Sequence, residues 1–426
     1  MGRLKVLVLH SLGDPEKSSI SSGNQVFALQ KYCPEHEFVY HDTTIDRPWS
    51  LAGLEVDAII LDVTFLCARW AEGRGLQRLK RDYAFIADCT ALKLAFPQDE
   101  YDCNALLDEW MCEWRVDVVF SVIAEHWNIL YPKYSCIGEI RLAYTGYIDD
   151  SLTLISPTPW DSRTVDIGYR AKKLPPYFGS LGEVKWQIGE LVNRLCSDKN
   201  ITTDIVVGDT GTLNGAAWLD FINNSKFTLG ANSGSSLLDP QGDVQRNVRR
   251  YLASHPRASF KEVEQVCFLG LDGLNEFTAI SPRVIEAGLL GSCQILVDGH
   301  YSGILKPWEH YIPITADASN FDEVLEAMQN RTLTDRLIAN CRTALLNTTA
   351  LHYRSHANEM MRLIVERTKD AEVGMVGAEI GPVIRIKIRR LMFVIQRFSY
   401  SALRSGWRVF VPKSMRTWIV MFRQRF

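Results

Sequence analysis

Short apolar runs rich in β-branched residues alternate with stretches of helical periodicity through the first third of the chain. The runs that predict strands are KVLVLHS, DAIILDV, LKLAFPQ, VDVVFSVI and RLAYTGY. The helical stretches between them include GNQVFALQKYC, GLQRLKRDYAFIADC and NALLDEWMCEW. Strands that alternate with helices form right-handed crossover units, so this pattern predicts a parallel sheet covered on both faces.

The alternation stops at residues 149–163, where DDSLTLISPTPWDSR is rich in Ser, Thr, Pro and Asp, and then resumes. Beyond this break, TVDIGYR, TTDIVVG, KFTLGANS and QILVDG predict strands, with helices between and after them. We therefore predict an α/β fold of two Rossmann-like doubly wound domains, residues 1–150 and 160–370, facing each other across a cleft. Ligands bind at the carboxyl ends of the strands in such sheets, so we expect the functional site in the cleft.

Composition narrows the class of protein. The chain is 46% hydrophobic and 23% charged, which is typical of a soluble globular protein. Its ten cysteines include no C-x-x-C pair, so neither a disulfide framework nor a zinc site is expected and a reducing cytosol is the predicted location. The loop after the first strand lacks G-x-G-x-x-G and the P-loop pattern, and D-x-D and H-E-x-x-H are absent from the sequence. These absences disfavour a dehydrogenase, a P-loop kinase and a required metal.

One strand-to-helix turn in the second half, FTAISPRVIEAGLLGSC, carries an unusual set of polar residues. Ser281 and Pro282 predict a sharp helix start, whose positive end would attract an anion. Arg283 adds a forked donor for phosphate, and Glu286, one turn later, could accept hydrogen bonds from two ribose hydroxyls. A phosphate site followed by a sugar site along one helix suggests a nucleotide. The alternative is an ordinary capped helix on which Arg283 and Glu286 pair at the surface.

Other cleft candidates follow neighbouring strands. Basic groups near the end of TVDIGYR would neutralise a diphosphate leaving group, and the alternative is a solvated edge. The loop GANSGSSLLD offers amides and hydroxyls to phosphate or sugar, or forms only a tight turn. In the first domain, FPQDEYD and IAEHW place acid and base groups just past strands, either solvated or catalytic. The candidates are Arg170, Lys172, Lys173, Lys185, Ser233, Gly234 and Ser235 for binding, and Asp99, Glu100, Glu125 and His126 for catalysis.

The chain resembles a glycosyltransferase of the GT-B architecture, of the family 1 type found in bacterial surface-polysaccharide gene sets. The likeness runs from about residue 90 to 345. It is strongest in GYRAKKLPPYFGSLGEVKWQIG, in FTLGANSGSSLLDPQGDV and in the segment that begins ISPRVIEAGLLGSCQILVDG. Retaining members often carry paired glutamates eight residues apart, but this chain has Thr278 eight residues before Glu286. It also has Asn232 where relatives tend to carry an acid, which leaves retention or inversion open.

The resemblance implies an activity and roles for several residues. It implies a hexosyltransferase that moves a sugar from a nucleotide-diphosphate sugar to a hydroxyl of a glycan or lipid-linked acceptor, with no cofactor beyond this donor substrate. The donor would lie on the second domain, where the family implies that Ser281, Arg283 and Glu286 hold diphosphate and ribose. Arg170 and Lys185 occupy places like the paired Arg and Lys of retaining members. The acceptor would enter from the first domain.

The carboxyl-terminal segment, residues 380–426, differs from the rest of the chain. It has eleven Lys and Arg, whereas all 50 acidic residues precede it and the whole chain has a net charge of −3. Apolar residues at helical spacing from Ile384 to Phe398 predict a basic amphipathic tail. We expect it to bind an anionic membrane, which would make the protein peripheral on the cytoplasmic face. A coiled-coil homodimer seam is an alternative, and nucleic acid is not an expected partner because the body is acidic.

Two rival functions stay open. The first is a non-catalytic GT-B relative that binds a nucleotide sugar or glycan as a partner subunit, which the missing paired glutamate favours. The second is a transferase of another activated group, such as a polyol phosphate, that uses a similar diphosphate site. The donor base, the sugar and the acceptor cannot be read from these residues.

Overall fold

The structure is a computed structural model that describes residues 2–13, 20–71, 73–369 and 374–376. The residues up to Gly374, apart from 47–54, form one unit. A second unit includes residues 47–54 and 375–376, in which the amide of Gly53 donates to the carbonyl of Val376 at 2.6 Å. The predicted basic tail, 380–426, lies outside the described residues. None of the described helices is long and apolar enough to span a membrane.

A six-stranded parallel sheet organises the first half of the chain, in the order β2-β1-β4-β5-β6-β7. The strands of this half are β1 (Lys5–His10), β2 (Glu37–Asp42), β3 (Leu54–Val56), β4 (Ala58–Leu61), β5 (Leu92–Ala95), β6 (Val118–Ser121) and β7 (Glu139–Leu142). The helices are α1 (Ile20–Tyr32), α2 (Val63–Leu66), α3 (Gly75–Asp82), α4 (Phe85–Asp88), α5 (Asn104–Glu113), α6 (Trp127–Leu130) and α7 (Asp150–Thr153). Every residue of β4, β5 and β6 is buried, as expected for central strands covered on both faces.

A five-stranded parallel sheet organises the second half, in the order β14-β13-β10-β8-β9. The strands here are β8 (Val165–Ala171), β9 (Thr203–Val207), β10 (Ser225–Gly230), β11 (Ser233–Ser235), β12 (Phe277–Ala279), β13 (Cys293–Val297) and β14 (Ile312–Ile314). The helices are α8 (Gly179–Cys196), α9 (Ala216–Asn223), α10 (Asp243–Ser254), α11 (Phe260–Cys267), α12 (Pro282–Leu289), α13 (Phe321–Gln329) and α14 (Arg331–Asn347). Both sheets confirm the prediction of two Rossmann-like parallel sheets.

The last long helix, α15 (Tyr353–Thr368), returns to the first sheet. The ring of His356 stacks on Tyr147 with centroids 4.2 Å apart. It also makes edge-to-face contacts with Phe96, which directly follows β5, and with Phe120 in β6. Burial lowers the pKa of His356 to about 4, so the ring is a neutral core group. The short strand β15 (Gly374–Val376) follows this helix.

Some local predictions were wrong. The segment GLQRLKRDYAFIADC forms two helices, α3 and α4, with Tyr83 and Ala84 between them, where the sequence predicted one helical stretch. The strand before the Ser-Pro turn, β12, does not join the main sheet but pairs antiparallel with β11. Residues 233–235 therefore form a strand of a two-stranded ribbon, where the sequence predicted a loop.

Candidate functional site

A cleft of about 690 Å³ lies where the strand order reverses. In the second sheet β8 sits between β9 and β10, so the helices after β8 and β10 leave on opposite sides and open a crevice at the carboxyl ends of these strands. Arg170, Gly230 and Ser233 of the second half line the cleft. Tyr147 and Asp149, which follow β7, line it as well. The structure thus places an open, ligand-sized space where parallel sheets commonly bind ligands.

Helix α12 points its amino end at this cleft. Ser281 is its N-cap residue and Pro282 its first residue, as predicted. Within the described residues, however, the Ser281 side chain makes no capping hydrogen bond, and Ser281 is buried in the lining of the cleft. Pro282 has no amide hydrogen, and the amide of Val284 already donates to the Ser281 carbonyl at 3.1 Å. The helix therefore contributes its dipole and its first side chains more than a row of free amides.

Arg283 extends from the first turn of α12 into the cleft. Its Nη1 donates to the carbonyl oxygen of Arg170 at 2.6 Å, and its guanidinium lies 5.3 Å from the ring centre of Trp218. Among the described residues no carboxylate lies within ion-pair distance of this guanidinium. Arg283 is therefore oriented by a neutral oxygen and an aromatic ring, and not by a direct ion pair within the described residues.

Lys185, on α8, approaches the same space. Its Nζ donates to the hydroxyl of Ser233 at 3.1 Å. Burial, reinforced by the positive charge of Arg283, lowers the pKa of Lys185 to about 8, whereas the charge of Asp99 opposes this shift. Two cations that disfavour each other and share one cleft form a site that an anion would stabilise.

Arg170, the third predicted phosphate contact, is already paired. Its Nη2 donates to both carboxylate oxygens of Asp204 at 2.8 Å, and its Nη1 donates to the Asp204 carbonyl at 2.7 Å. Its guanidinium also stacks on Phe221, 4.2 Å from the ring centre. The backbone of Arg170 positions Arg283, but its side chain is not a free cation. Lys172, by contrast, is exposed and lines the cleft.

The three polar residues of β11 have different roles. Ser233 lines the cleft and accepts the hydrogen bond from Lys185. Gly234 has φ +133°, and a Cβ there would lie 1.8 Å from the carbonyl oxygen of Phe277, so glycine is required for the close pairing of β11 with β12. Ser235 is buried and its hydroxyl bonds the carbonyl oxygens of Phe178 and Leu237 at 3.0 and 2.9 Å. Gly234 and Ser235 build the ribbon, and of the three only Ser233 lines the cleft.

Glu286 also lines the cleft, one turn beyond Arg283. Burial raises the pKa of its carboxyl group, while a hydrogen bond from Trp218 and the charge of Arg283 lower it. The Trp218 indole donates to Glu286 Oε2 at 2.6 Å. Trp218 was not identified from the sequence, because a tryptophan in the helical stretch GAAWLDFINNS is most simply interpreted as a core residue.

The two neighbouring acid candidates of the first half, Asp99 and Glu100, have different environments. Asp99 is exposed with φ 48°, and its Oδ1 accepts from the Tyr101 hydroxyl at 2.7 Å. Glu100 points into the core, where its oxygens accept from the amide of Val122 at 3.0 Å and the hydroxyl of Tyr131 at 2.7 Å. Burial raises the pKa of Glu100 to about 7. Glu100 is therefore a structural group, and Asp99 is the carboxylate that acts on Lys185.

Glu125 and His126 follow β6. Glu125 is exposed, and the structure gives it no partner among the described residues. His126 has φ 65°, and its ring lies 5.7 Å from that of Phe277 in β12. His126 thus reaches the ribbon of the second half, whereas Glu125 contacts nothing in the cleft.

A buried arginine, not identified from the sequence, fixes the loop that carries Asp99. Arg69 is 2% exposed, and its guanidinium donates to the carbonyl oxygens of Gln98, Asp99 and Asp102 at 2.5, 2.9 and 3.1 Å. Charged donors to carbonyl groups hold a loop in one conformation. Asp99, with its left-handed φ of 48°, lies within this anchored loop.

The described residues offer no metal site and no disulfide. The described residues include no group of three His, Cys, Asp or Glu side chains placed to hold a metal ion. All ten cysteines are free thiols.

No family model matches the chain, and no curated protein matches it. Solved structures share its outline. An alpha-glucosyltransferase in complex with UDP and a 13-mer DNA containing a HMU base is 10% identical, with a TM-score of 0.49, 86% of this chain and 100% of that chain being covered. HepE from Anabaena in complex with UDP and glucose is 8% identical, with a TM-score of 0.49, 85% of this chain and 100% of that one being covered. A sucrose-phosphate synthase from Thermosynechococcus elongatus is 12% identical, with a TM-score of 0.43. The match covers 87% of this chain and 100% of that chain. These likenesses are too distant to assign a residue role.

Proposed function

We propose that this protein is a glycosyltransferase that moves a sugar from a nucleotide-diphosphate sugar to an acceptor hydroxyl. The observation that carries this proposal is the convergence of Lys185 and Arg283, two cations without a carboxylate partner among the described residues, at the amino end of α12. A diphosphate carries the charge that such a site lacks. As the glycosidic bond breaks, negative charge grows on the diphosphate, and these fixed cations would stabilise it.

The donor would extend along α12. Its diphosphate would lie between Arg283, Lys185 and the hydroxyl of Ser233, and its ribose would meet Glu286 one turn later. Beyond Glu286 the cleft wall becomes apolar, with Leu152, Leu213, Leu219 and Ala287 in its lining, which suits the face of a planar base. The donor site thus changes from cationic to anionic to apolar in the order phosphate, ribose, base.

Asp99 is the best candidate for the group that activates the acceptor. It lies on the loop after β5, its carboxylate is held by Tyr101, and its charge acts on Lys185. A carboxylate whose charge reaches the diphosphate site could accept the proton of an acceptor hydroxyl as that oxygen attacks. His126 is the second candidate, because its ring contacts Phe277. No role is assigned to Glu125.

The acceptor and the cellular setting extend the proposal further. The family resemblance favours a glycan or lipid-linked acceptor in surface-polysaccharide synthesis, and the basic composition of residues 380–426 favours attachment to an anionic membrane on the cytoplasmic side. A homodimer through the same segment stays the alternative. Independence of a divalent metal and absence of a nucleic-acid partner are predictions that no observation tests.

One observation favours a second candidate, a non-catalytic relative that only binds a nucleotide sugar or glycan. Thr278 stands where retaining glycosyltransferases carry a glutamate, and in the structure it pairs with Gly234 inside the ribbon. Neither residue lines the cleft or brings a carboxylate to it. The experiment below therefore measures binding and turnover separately.

The test is calorimetric titration with UDP, GDP, ADP, CDP and TDP, followed by incubation with the sugar conjugates of whichever binds. We expect one diphosphate to bind and Arg283→Ala to weaken it about tenfold, because a charge-assisted hydrogen bond is lost. The control Arg257→Ala, an exposed arginine that does not line the cleft, should leave affinity unchanged. Release of diphosphate from the donor supports a transferase, and binding without release supports the non-catalytic candidate. No binding by the wild type rejects both.

A further inference from the structure

Trp218 contacts both the diphosphate part and the ribose part of the candidate donor site. It lies on α9, which packs against α12, and its ring lines the cleft. Its indole N–H reaches Glu286 at 2.6 Å, and the guanidinium of Arg283 lies 5.3 Å from its ring centre.

The hydrogen bond fixes the orientation of the Glu286 carboxylate. An indole N–H can only donate, so it occupies Oε2 and cannot compete with a hydroxyl as an acceptor. Among the described residues no second hydrogen bond reaches Glu286, so Oε1 and a lone pair of Oε2 have no protein partner on a residue that lines the cleft. Two neighbouring hydroxyl groups of one sugar ring match such a carboxylate, because each can donate to a separate lone pair.

The same contact favours the ionised form of Glu286, which accepts hydrogen bonds. Burial raises the pKa of Glu286, and the Trp218 hydrogen bond is the largest influence that lowers it again. A protonated carboxyl group would have to donate one hydrogen and would bind a diol less well. Loss of the indole N–H would therefore change both the orientation and the charge of this group.

The indole itself is held firmly. Its ring stacks on Phe221 with centroids 5.5 Å apart and an angle of 29° between the planes, and Phe221 in turn carries the guanidinium of Arg170 at 4.2 Å. Arg170 is anchored by Asp204. A chain of contacts from the edge of the sheet thus leads through Phe221 to Trp218, so the donor N–H has a defined place before any ligand arrives.

We propose that Trp218 is a positioning residue that aims the Glu286 carboxylate at the two ribose hydroxyls of the donor, and thereby makes the site select ribonucleotides over 2′-deoxyribonucleotides. This inference rests on the proposed function, because it requires a nucleotide at the amino end of α12. It adds a residue and a basis for specificity that the sequence did not indicate.

The test compares affinities for UDP, GDP, ADP and CDP with those for their 2′-deoxy counterparts. For the diphosphate that binds, we expect the wild-type protein to prefer the ribose form by about tenfold, the value of one hydrogen bond to a charged group. Trp218→Phe keeps an aromatic ring but removes the N–H, and it should bring the two affinities close together, as Glu286→Gln should. The control Trp160→Phe removes an indole N–H outside the cleft lining, next to Phe227, and should keep the preference.

The outcomes separate this inference from the function on which it rests. If the wild type binds no nucleoside diphosphate, both are rejected. If Trp218→Phe keeps the full preference for ribose while Glu286→Gln loses it, only the role of Trp218 is rejected. An equal loss of affinity for the ribose and deoxyribose forms would mean that the indole merely supports the cleft wall, and this result also overturns the inference.

Discussion

The ammonium group of Lys185 lies 3.1 Å from the hydroxyl of Ser233, which joins α8 to β11 across the wall of the cleft. A hydroxyl can accept this hydrogen bond but cannot neutralise the charge. The pKa of Lys185 falls from 10.5 to about 8 as a result of burial and of the nearby Arg283. An unbalanced charge in a folded protein is a cost, and ligand sites are where such costs are commonly retained.

Lys185→Met should stabilise the free protein and weaken ligand binding. Because the folded pKa of Lys185 is lowered, its charge reduces stability below pH 8, and this penalty disappears as the pH rises towards 10.5. Removing the charge should raise the melting temperature at pH 7 by about 2–4 °C and reduce diphosphate affinity about tenfold. Scanning calorimetry and titration measure the two effects. Lys172→Met, an exposed lysine of the same cleft, should not raise the melting temperature, and a lower melting temperature with unchanged affinity for Lys185→Met contradicts the prediction.

Arg170→Ala should affect diphosphate binding less than Arg283→Ala. The Arg170 guanidinium is held by Asp204, and the contact that orients Arg283 comes from the Arg170 carbonyl, which every substitution retains. We expect Arg170→Ala to lower the free energy of unfolding by about 1 kcal/mol, since Asp204 is partly exposed and the pair is screened. Titration and urea denaturation check this. Equal losses of affinity in the two variants would show that Arg170 leaves Asp204 for the ligand.

Glu100→Gln should stabilise the protein at high pH only. The folded pKa of Glu100 is raised from 4.5 to about 7, so the folded state favours the protonated carboxyl group. The free energy of unfolding therefore falls as the pH rises from 4.5 through 7, because the carboxyl group then ionises more easily in the unfolded chain. The amide stays neutral, so the variant should be about 1–3 kcal/mol more stable than the wild type at pH 8 and equal to it near pH 4.5. Urea denaturation at both pH values measures the difference. Asp99→Asn is the contrasting variant. Because Asp99 is exposed, this substitution should lower turnover and leave the free energy of unfolding nearly unchanged.

Gly234→Ala should disrupt the ribbon of β11 and β12. The new Cβ would meet the Phe277 carbonyl oxygen at 1.8 Å, and the backbone is left-handed. We expect a loss of about 3 kcal/mol or more in unfolding free energy. Gly270→Ala is the matched control: its φ is +73° but nothing lies within 4 Å, so only backbone strain of about 1 kcal/mol is expected. Similar losses in the two variants would argue against the close approach.

The sequence predicted those parts of the fold that depend on local pattern. Central strands such as β4 are continuous apolar runs and were found, whereas two edge strands were missed. The first, β2, has the mixed sequence EFVYHD, and the other, β14, is three residues long with a proline in the middle. Edge strands are solvated on one side and need no apolar run.

The candidate site was predicted in part, for the same reason. The residues of the Ser-Pro turn were found because they are adjacent in sequence. The partners that decide their roles are not: Asp204 is 34 residues from Arg170, and Trp218 is 68 residues from Glu286. Local spacing could not show that Arg170 is already paired or that Glu286 has a fixed orientation.

Because α15 returns to the first sheet, the chain cannot be cut between its two sheets without removing part of the interior of the first half. His356 packs between Phe96, Phe120 and Tyr147, so the amino-terminal half completes its interior with a helix made more than two hundred residues later. The second sheet is, in topological terms, an insertion within the first half. A fragment cut at residue 150 would expose this aromatic surface to water, and a ribosome must finish nearly the whole chain before the first half can close.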